Sequence, residues 1–165
     1  KVHSLRPLLS LPRRTTESFL LALAIHQDER QDLEDLGVNG WRLTDPGVVA
    51  GTPQSARDFI SGSKAEFGFA KSGYVASRCG WFSDRSICYL ASARPVLAQD
   101  TGFTASLPTG HGLFSFGDLE DALAGIEAIN ADYAAHQRAA RELAEEYFDA
   151  PRVLSRLLRQ LGAGP

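Results

Sequence analysis

A capped helix that runs into a continuous apolar strand, over residues 83–98, restricts the fold of this chain more than any other segment. Ser83 occupies a helix N-cap position, and Asp84 lies in the first turn, where an acidic side chain favours a helix. The apolar residues that follow recur at helical spacing until residues 95–98, which form an unbroken apolar run. A helix that feeds such a run is typical of a parallel sheet buried on both faces.

Strand and helix patterns alternate through residues 19–116. Thr52 caps one of the predicted helices and Pro53 suits its first turn. Residues 65–70 fit either a third strand or the end of that helix, because Gly68 favours neither. The predicted strands span residues 19–25, 41–45, 65–70, 95–98 and 113–116, and the predicted helices span residues 27–36, 52–62 and 83–93. This alternation predicts an α/β fold: a Rossmann-like parallel sheet of about five or six strands, flanked by helices.

Residues 118–162 form a predicted helical tail with long C-terminal helices. Asp118 caps the first helix, and Asp149 and Pro151 start the last one. An apolar stripe follows each cap: Leu119, Leu123, Ile126, Ile129 and Tyr133, then Val153, Leu154, Leu157, Leu158 and Leu161. We expect one domain over residues 1–165, with residues 1–16 as an irregular approach segment.

Composition excludes several classes of function. The chain has 165 residues, 44% hydrophobic and 22% charged, which suits one globular domain. Its formal net charge is -3 with scattered Lys and Arg, so we expect no nucleic acid partner. No apolar run approaches the roughly 20 residues of a membrane span, and the amino end lacks the apolar core of a signal peptide. These features favour a cytoplasmic setting with reduced thiols.

Neither a metal nor a cofactor is expected. The two cysteines, Cys79 and Cys88, lack the paired spacing and the histidine companions of a zinc site.

Cations, glycines and hydroxyls concentrate in residues 71–86, around the predicted helix start. They are Lys71, Arg78 and Arg85, Gly73 and Gly80, and Ser77, Ser83 and Ser86. A helix N-terminus next to glycine is a natural phosphate site, to which serine hydroxyls and arginines add donors. In the alternative interpretation Ser83 only caps the helix, Asp84 complements its dipole, and the arginines are solvated.

A family resemblance favours the phosphate interpretation. The string Cys79-Gly80-Trp81-Phe82-Ser83 resembles the His-Cys-Gly-Trp-Asn-Ser signature of nucleotide-sugar-dependent glycosyltransferases. Residues 91–102 are similar to the Ala-x-Gly-x-Pro-Val continuation of that signature, which commonly ends in an acidic residue and glycine. The local match covers residues 72–112. This chain carries Arg78, Phe82 and Ala93 where the family has His, Asn and Gly.

The resemblance implies a site at the carboxyl end of the sheet. Arg78 matches the position that contacts the donor diphosphate. Gln99 and Asp100, ahead of Thr101 and Gly102, match side chains that hold hydroxyls of the donor sugar, although Asp100 also fits an Asx-type turn. His111 lies in a glycine-flanked loop that we place near the same sheet end, where it meets substrate or remains a surface histidine. No residue is assigned a catalytic role.

The implied function is that of the donor-binding half of a two-Rossmann-domain (GT-B type) glycosyltransferase. The ligand is a nucleoside diphosphate sugar, and the chain grips its diphosphate at the loop and helix N-terminus. The acceptor-binding amino-terminal domain would lie outside this chain, so we expect the chain alone to be catalytically incomplete, with retaining and inverting outcomes both open. An alternative is a non-catalytic nucleotide or nucleotide-sugar binding module that uses the helix over residues 119–133 as a partner surface.

Overall fold

The computed structural model describes residues 2–162, and within this range the chain forms five strands and nine α-helices. The strands are β1 (Leu20–Ala22), β2 (Arg42–Thr44), β3 (Glu66–Gly68), β4 (Val96–Gln99) and β5 (Leu113–Phe116). The helices are α1 (Val2–Leu5), α2 (Arg30–Val38), α3 (Pro46–Ala50), α4 (Pro53–Gly62), α5 (Ser72–Ser77), α6 (Asp84–Ala91), α7 (Leu119–Ala131), α8 (Tyr133–Tyr147) and α9 (Ala150–Gln160). Short 3-10 turns lie at Arg6–Leu8, Leu11–Arg13 and Phe103–Ala105.

All five strands pair in parallel, but they divide between two sheets. β1 pairs with β2, while β3, β4 and β5 form a second sheet in that order. The predicted α/β class and the parallel pairing are confirmed, and the expectation of one continuous sheet is wrong. β1 and β2 are only three residues long and partly exposed, and among residues 2–162 no ladder joins β1 to β3.

Each predicted strand is present, in most cases shorter than its apolar run. Residues 65–70 contain a strand, β3, which settles the choice left open by Gly68. Helix α4 begins at the predicted cap, where the Thr52 hydroxyl accepts a hydrogen bond from the Ser55 amide at 3.1 Å. The helices α3 and α5 lie in segments where no helix was predicted.

The amino-terminal segment is not irregular as predicted. It forms the short helix α1 and two 3-10 turns, and the side chains of Leu8 and Leu11 are almost completely buried. The indole nitrogen of Trp41 donates to the Leu9 carbonyl at 2.8 Å. Apolar packing of this segment against the core overrides its lack of a helical or strand pattern. Lys1, the first residue of the predicted segment, lies outside the described residues.

The three-stranded sheet is covered on both faces, and the alternation along β4 shows how. Leu97 points to one face, where it joins the core that includes α7, the amino-terminal turns and Trp41. Val96 and Ala98 point to the other face, where they pack with residues of α6 and α8. At Gly125 helix α7 approaches so closely that an added Cβ would stand 2.6 Å from the Leu97 side chain.

The helical tail is present, with one break. Helix α7 ends at Ala131, and the carboxylate of the next residue, Asp132, accepts from the Ala135 amide at 3.1 Å and caps α8. Tyr133 therefore starts a new helix instead of extending the predicted stripe. The expectation that residues 119–133 offer a partner surface is wrong, because α7 buries Ile126 and Ile129 against the sheet.

Helix α9 begins at the predicted Asp149 cap and leaves its apolar stripe exposed. The Asp149 carboxylate accepts from the Arg152 amide at 3.1 Å. The side chains of the stripe are between 42% and 70% exposed. Across residues 2–162 no helix combines the length and the apolar character that crossing a membrane requires.

Candidate functional site

The candidate site lies at the carboxyl ends of β3 and β4, which meet at one edge because the strands are parallel. Helix α5 follows β3 and ends at Ser77, and the next residue, Arg78, has a left-handed φ of 47°. The Gly80 amide then donates to the Thr101 carbonyl at 2.8 Å, and the Thr101 hydroxyl donates to the Trp81 carbonyl. Thr101 is fully buried. These bonds join the loop before α6 to the turn after β4, so that Arg78, Gly80, Thr101 and Gly102 come together as the sequence predicts.

Arg78 and Asp100 form the charged centre of this edge. The guanidinium Nη2 lies 3.3 Å from Asp100 Oδ2, and the Arg78 side chain is 67% exposed. The other carboxylate oxygen, Oδ1, accepts from the Gly102 amide at 2.8 Å and lies 3.3 Å from the Thr104 hydroxyl. Asp100 thus forms the predicted Asx-type turn and also holds Arg78 over the sheet edge.

The backbone of Gly102 has no space for a side chain. Its φ is 95°, and an added Cβ would stand 2.7 Å from the Arg78 carbonyl oxygen. Glycine at this position therefore lets the turn after β4 pass directly beneath the Arg78 loop.

Ser83 and Ser86 are buried where α6 begins. Ser83 occupies the N-cap position but makes no capping hydrogen bond; instead Asp84 Oδ1 accepts from the Arg85 amide at 2.9 Å. Ser83 and Ser86 are 7% and 2% exposed, and the crevice beside them, next to Phe103, has a volume of about 10 Å³. A volume of this size holds at most one water molecule, so the open part of the edge is the side that carries Arg78, Gly80 and Asp84.

Arg85, which was predicted to contact a diphosphate, pairs with a carboxylate and also lines the crevice beside Ser83 and Ser86. Its Nε donates to Glu66 Oε1 at 2.6 Å. Glu66, the first residue of β3, was missed in the sequence. Its side chain is only 4% exposed, and Oε2 has no hydrogen-bond partner. The sequence feature that could have revealed Glu66 is a single acidic residue at the start of an apolar strand.

Gln99 and His111 differ from their expected roles. Gln99 Oε1 accepts from the Ala70 amide at 3.1 Å, so this side chain ties the ends of β3 and β4 together. His111 lies at the opposite end of the sheet, and its predicted position is wrong. It comes just before the amino end of β5, with its ring 5.9 Å from that of His136. Because β4 and β5 are parallel, the loop after β4 crosses the whole sheet before β5 begins, so the predicted parallel sheet itself implies this position for His111.

A cavity with a volume of about 590 Å³ lies between the two sheets. Both β1 and β3 line it, together with side chains from α4, α6 and α7. Of the predicted site residues only Arg85 reaches its wall. Tyr89, also in the wall, has a hydroxyl whose pKa is raised by burial, so this group stays protonated and can donate a hydrogen bond.

Within residues 2–162 no three His, Cys, Asp or Glu side chains form a group suited to hold a metal ion. Comparisons with protein families, with curated proteins and with solved structures find no match for this chain.

Proposed function

We propose that the edge formed by β3 and β4 binds the diphosphate of a nucleoside diphosphate sugar, and that the chain is the donor-binding half of a glycosyltransferase. The observation that carries this proposal is the exposed Arg78 guanidinium, held 3.3 Å from Asp100 on a loop tied to the turn after β4. An exposed, positioned guanidinium forms charge-assisted, often bidentate hydrogen bonds to phosphate oxygens. Gly80 beside it, with a φ of 76° and no side chain, leaves room for a phosphate.

The arrangement of the strands supports a Rossmann-like interpretation. β3, β4 and β5 run parallel, and the loop that carries Arg78, which comes after the short helix α5, lies at the carboxyl ends of β3 and β4. In open α/β sheets ligands bind at the carboxyl ends of the strands.

The end of helix α6 also supports the resemblance to glycosyltransferases. The Ala93 amide donates to the Leu90 carbonyl at 3.0 Å and the Arg94 amide donates to the Tyr89 carbonyl at 2.9 Å, which is the Schellman pattern. Ala93 occupies the left-handed position of this pattern, with a φ of 53°. The glycosyltransferase signature has glycine at the matching position, where a left-handed backbone costs little.

In this function Arg78 would offset the charge that develops on the leaving diphosphate, and Asp100 would hold a hydroxyl of the sugar. Catalysis of this kind rests on positioning and on charge stabilisation, which the donor half supplies without a proton-transferring residue. The second domain of such an enzyme would bind the acceptor and supply any general base.

A non-catalytic nucleotide-binding module is the second candidate. It is favoured by the pairing of both guanidiniums with carboxylates, Arg78 with Asp100 and Arg85 with Glu66. A ligand phosphate must compete with these carboxylates for the guanidiniums. The arrangement therefore suits a module that binds a nucleotide without strongly stabilising a leaving group.

Calorimetric titration with uridine diphosphate and thymidine diphosphate tests the proposal. We expect at least one of them to bind, and Arg78→Ala to weaken that binding about tenfold or more, because a hydrogen bond to a charged group is lost. Arg138→Ala, an exposed arginine of α8, is the matched control and should bind like the parent chain. Absence of binding by both nucleotides, or equal binding by Arg78→Ala and the control, contradicts a diphosphate site.

A second titration separates the two candidate functions. If Asp100 holds a sugar hydroxyl, Asp100→Asn should weaken binding of uridine diphosphate glucose relative to uridine diphosphate. Equal effects on both ligands favour the nucleotide-binding module.

A further inference from the structure

The cavity between β1 and β3 is separate from the edge that carries Arg78. Its volume of about 590 Å³ falls in the range of small-molecule sites, roughly 300 to 1,000 Å³. It passes between two strands that form no ladder with each other, and its lining includes the ion pair of Lys64 with Glu17, whose Nζ and Oε1 lie 2.6 Å apart.

Aromatic rings form one wall of this cavity. The rings of Phe19 and Trp41 lie 5.1 Å apart, and Phe67 lies 5.6 Å from Phe19 and 6.0 Å from Trp41. All three side chains line the cavity, along with Leu97 and Ile126 of the core. Such a wall suits a planar ring, which gains offset or edge-to-face contacts in addition to apolar burial.

Glu66, which lines the same cavity, has one carboxylate oxygen without a hydrogen-bond partner. Its side chain is only 4% exposed and lines the cavity. Its Oε1 pairs with Arg85. Oε2 is closed to solvent and has no hydrogen-bond partner. A buried oxygen of this kind costs about 1 to 3 kcal/mol unless a donor reaches it. A donor in the cavity reaches this carboxylate only after the terminal torsion of Glu66 rotates, and that torsion is soft in a glutamate.

We infer that this cavity binds a small, uncharged, planar ring molecule whose N–H or O–H group donates to the Glu66 carboxylate. The aromatic wall takes the ring, and Glu66 fixes its orientation. This site is new relative to the diphosphate edge, since the two share only Arg85.

The charges around the cavity favour an uncharged ligand. The carboxylate of Glu66 is balanced by Arg85, and that of Glu17 is balanced by Lys64. A charged ligand would have to lose its hydration without finding an unpaired opposite charge in these pairs. Asp58 and Arg42, one of each sign, also line the cavity, and both residues are exposed; the Asp58 carboxylate accepts from Gln54 at 2.8 Å.

Indole and benzofuran form a matched pair of probes, because an oxygen replaces the N–H in a ring of nearly the same shape. The indole N–H signals of the chain's two tryptophans, assigned with Trp81→Phe, report the binding in proton–nitrogen NMR spectra. Trp41 lines the cavity and Trp81 does not. We expect indole to shift the Trp41 signal in a saturable way, to leave Trp81 unchanged, and to bind about tenfold more tightly than benzofuran.

Two variants test whether the Glu66 carboxylate causes the preference for indole over benzofuran. Glu66→Gln should reduce the preference for indole, because an amide oxygen accepts a weaker hydrogen bond than a carboxylate, whereas Asp58→Asn, the same change at another carboxylate of the cavity, should leave it unchanged. The inference is overturned if Trp41 does not respond, if benzofuran binds as tightly as indole, or if Glu66→Gln keeps the preference in full. The comparison of probes on the unmodified chain decides the matter even where Glu66→Gln fails to fold. Neither outcome depends on nucleotide binding at the Arg78 edge.

Discussion

Gly112, the residue before β5, is a position where one added methyl group should destabilise the whole fold. Its φ is 72°, and a Cβ built on it would stand 2.3 Å from the Ala140 amide nitrogen in helix α8. The left-handed backbone costs an alanine about 1 to 2 kcal/mol. Overpacking against a helix backbone adds about 1 to 3 kcal/mol, because a backbone cannot rotate away as a side chain does. We expect Gly112→Ala to lower the free energy of unfolding by about 2 to 5 kcal/mol.

Gly110, two residues earlier in the same loop, provides the control. Its φ is 99°, but an added Cβ would meet no atom within 4 Å. Gly110→Ala should therefore cost only the conformational part, about 1 to 2 kcal/mol. Urea denaturation followed by circular dichroism measures both variants, provided that the slopes against denaturant agree. Equal loss of stability in the two variants would refute the steric argument, because the contact with α8 is what distinguishes them.

Two further substitutions test local features of the structure. Ala93→Gly should raise the free energy of unfolding by up to about 1 kcal/mol, since glycine accepts the left-handed position at the end of α6 without a Cβ clash; a loss of stability in urea denaturation would contradict this account. At Glu17, the hydrogen bond from Lys64 holds the pKa of the carboxyl below its usual range. The associated stability is present above the unfolded value, about 4.3, and is lost as the pH falls through the lower folded value. The unmodified chain should therefore lose stability more steeply than Glu17→Gln in acid denaturation, and parallel curves would rule out this contribution.

Features set by neighbours in sequence could be predicted. The caps at Thr52, Asp118 and Asp149 are recognised within a few residues, and each begins a helix in the structure. The strand positions follow from apolar runs, which are also local features of the sequence. At Ser83 the position of the cap was predicted but not its bonding, because Asp84 competes for the first amides of the helix.

Features set by contacts between distant segments could not be predicted. The division of the sheet depends on whether β1 reaches β3, and an apolar run does not specify its partner strand. The burial of Leu8 and Leu11 likewise depends on packing across the fold and not on local periodicity.

The candidate site shows the same contrast. Arg78 and Gly80 follow the short helix after β3, and Asp100 follows β4, so the order of elements along the chain places them at one edge of the sheet. The pairing of Arg85 with Glu66 joins α6 to the start of β3, nineteen residues away, and no motif indicated it.

The separation of β1 and β2 from the other three strands has a consequence for local unfolding. This pair rests on two three-residue strands, whereas β4 has a neighbour on each side and is buried. Segments with few ladder bonds and more exposure open at a lower free energy than a buried core. We therefore expect the amide protons of β1 and β2 to exchange with deuterium through openings that leave the β4 ladder closed. In that case the wall of the cavity belongs to the less stable unit of the protein, and an occupant would slow exchange in β1 while leaving β4 unchanged.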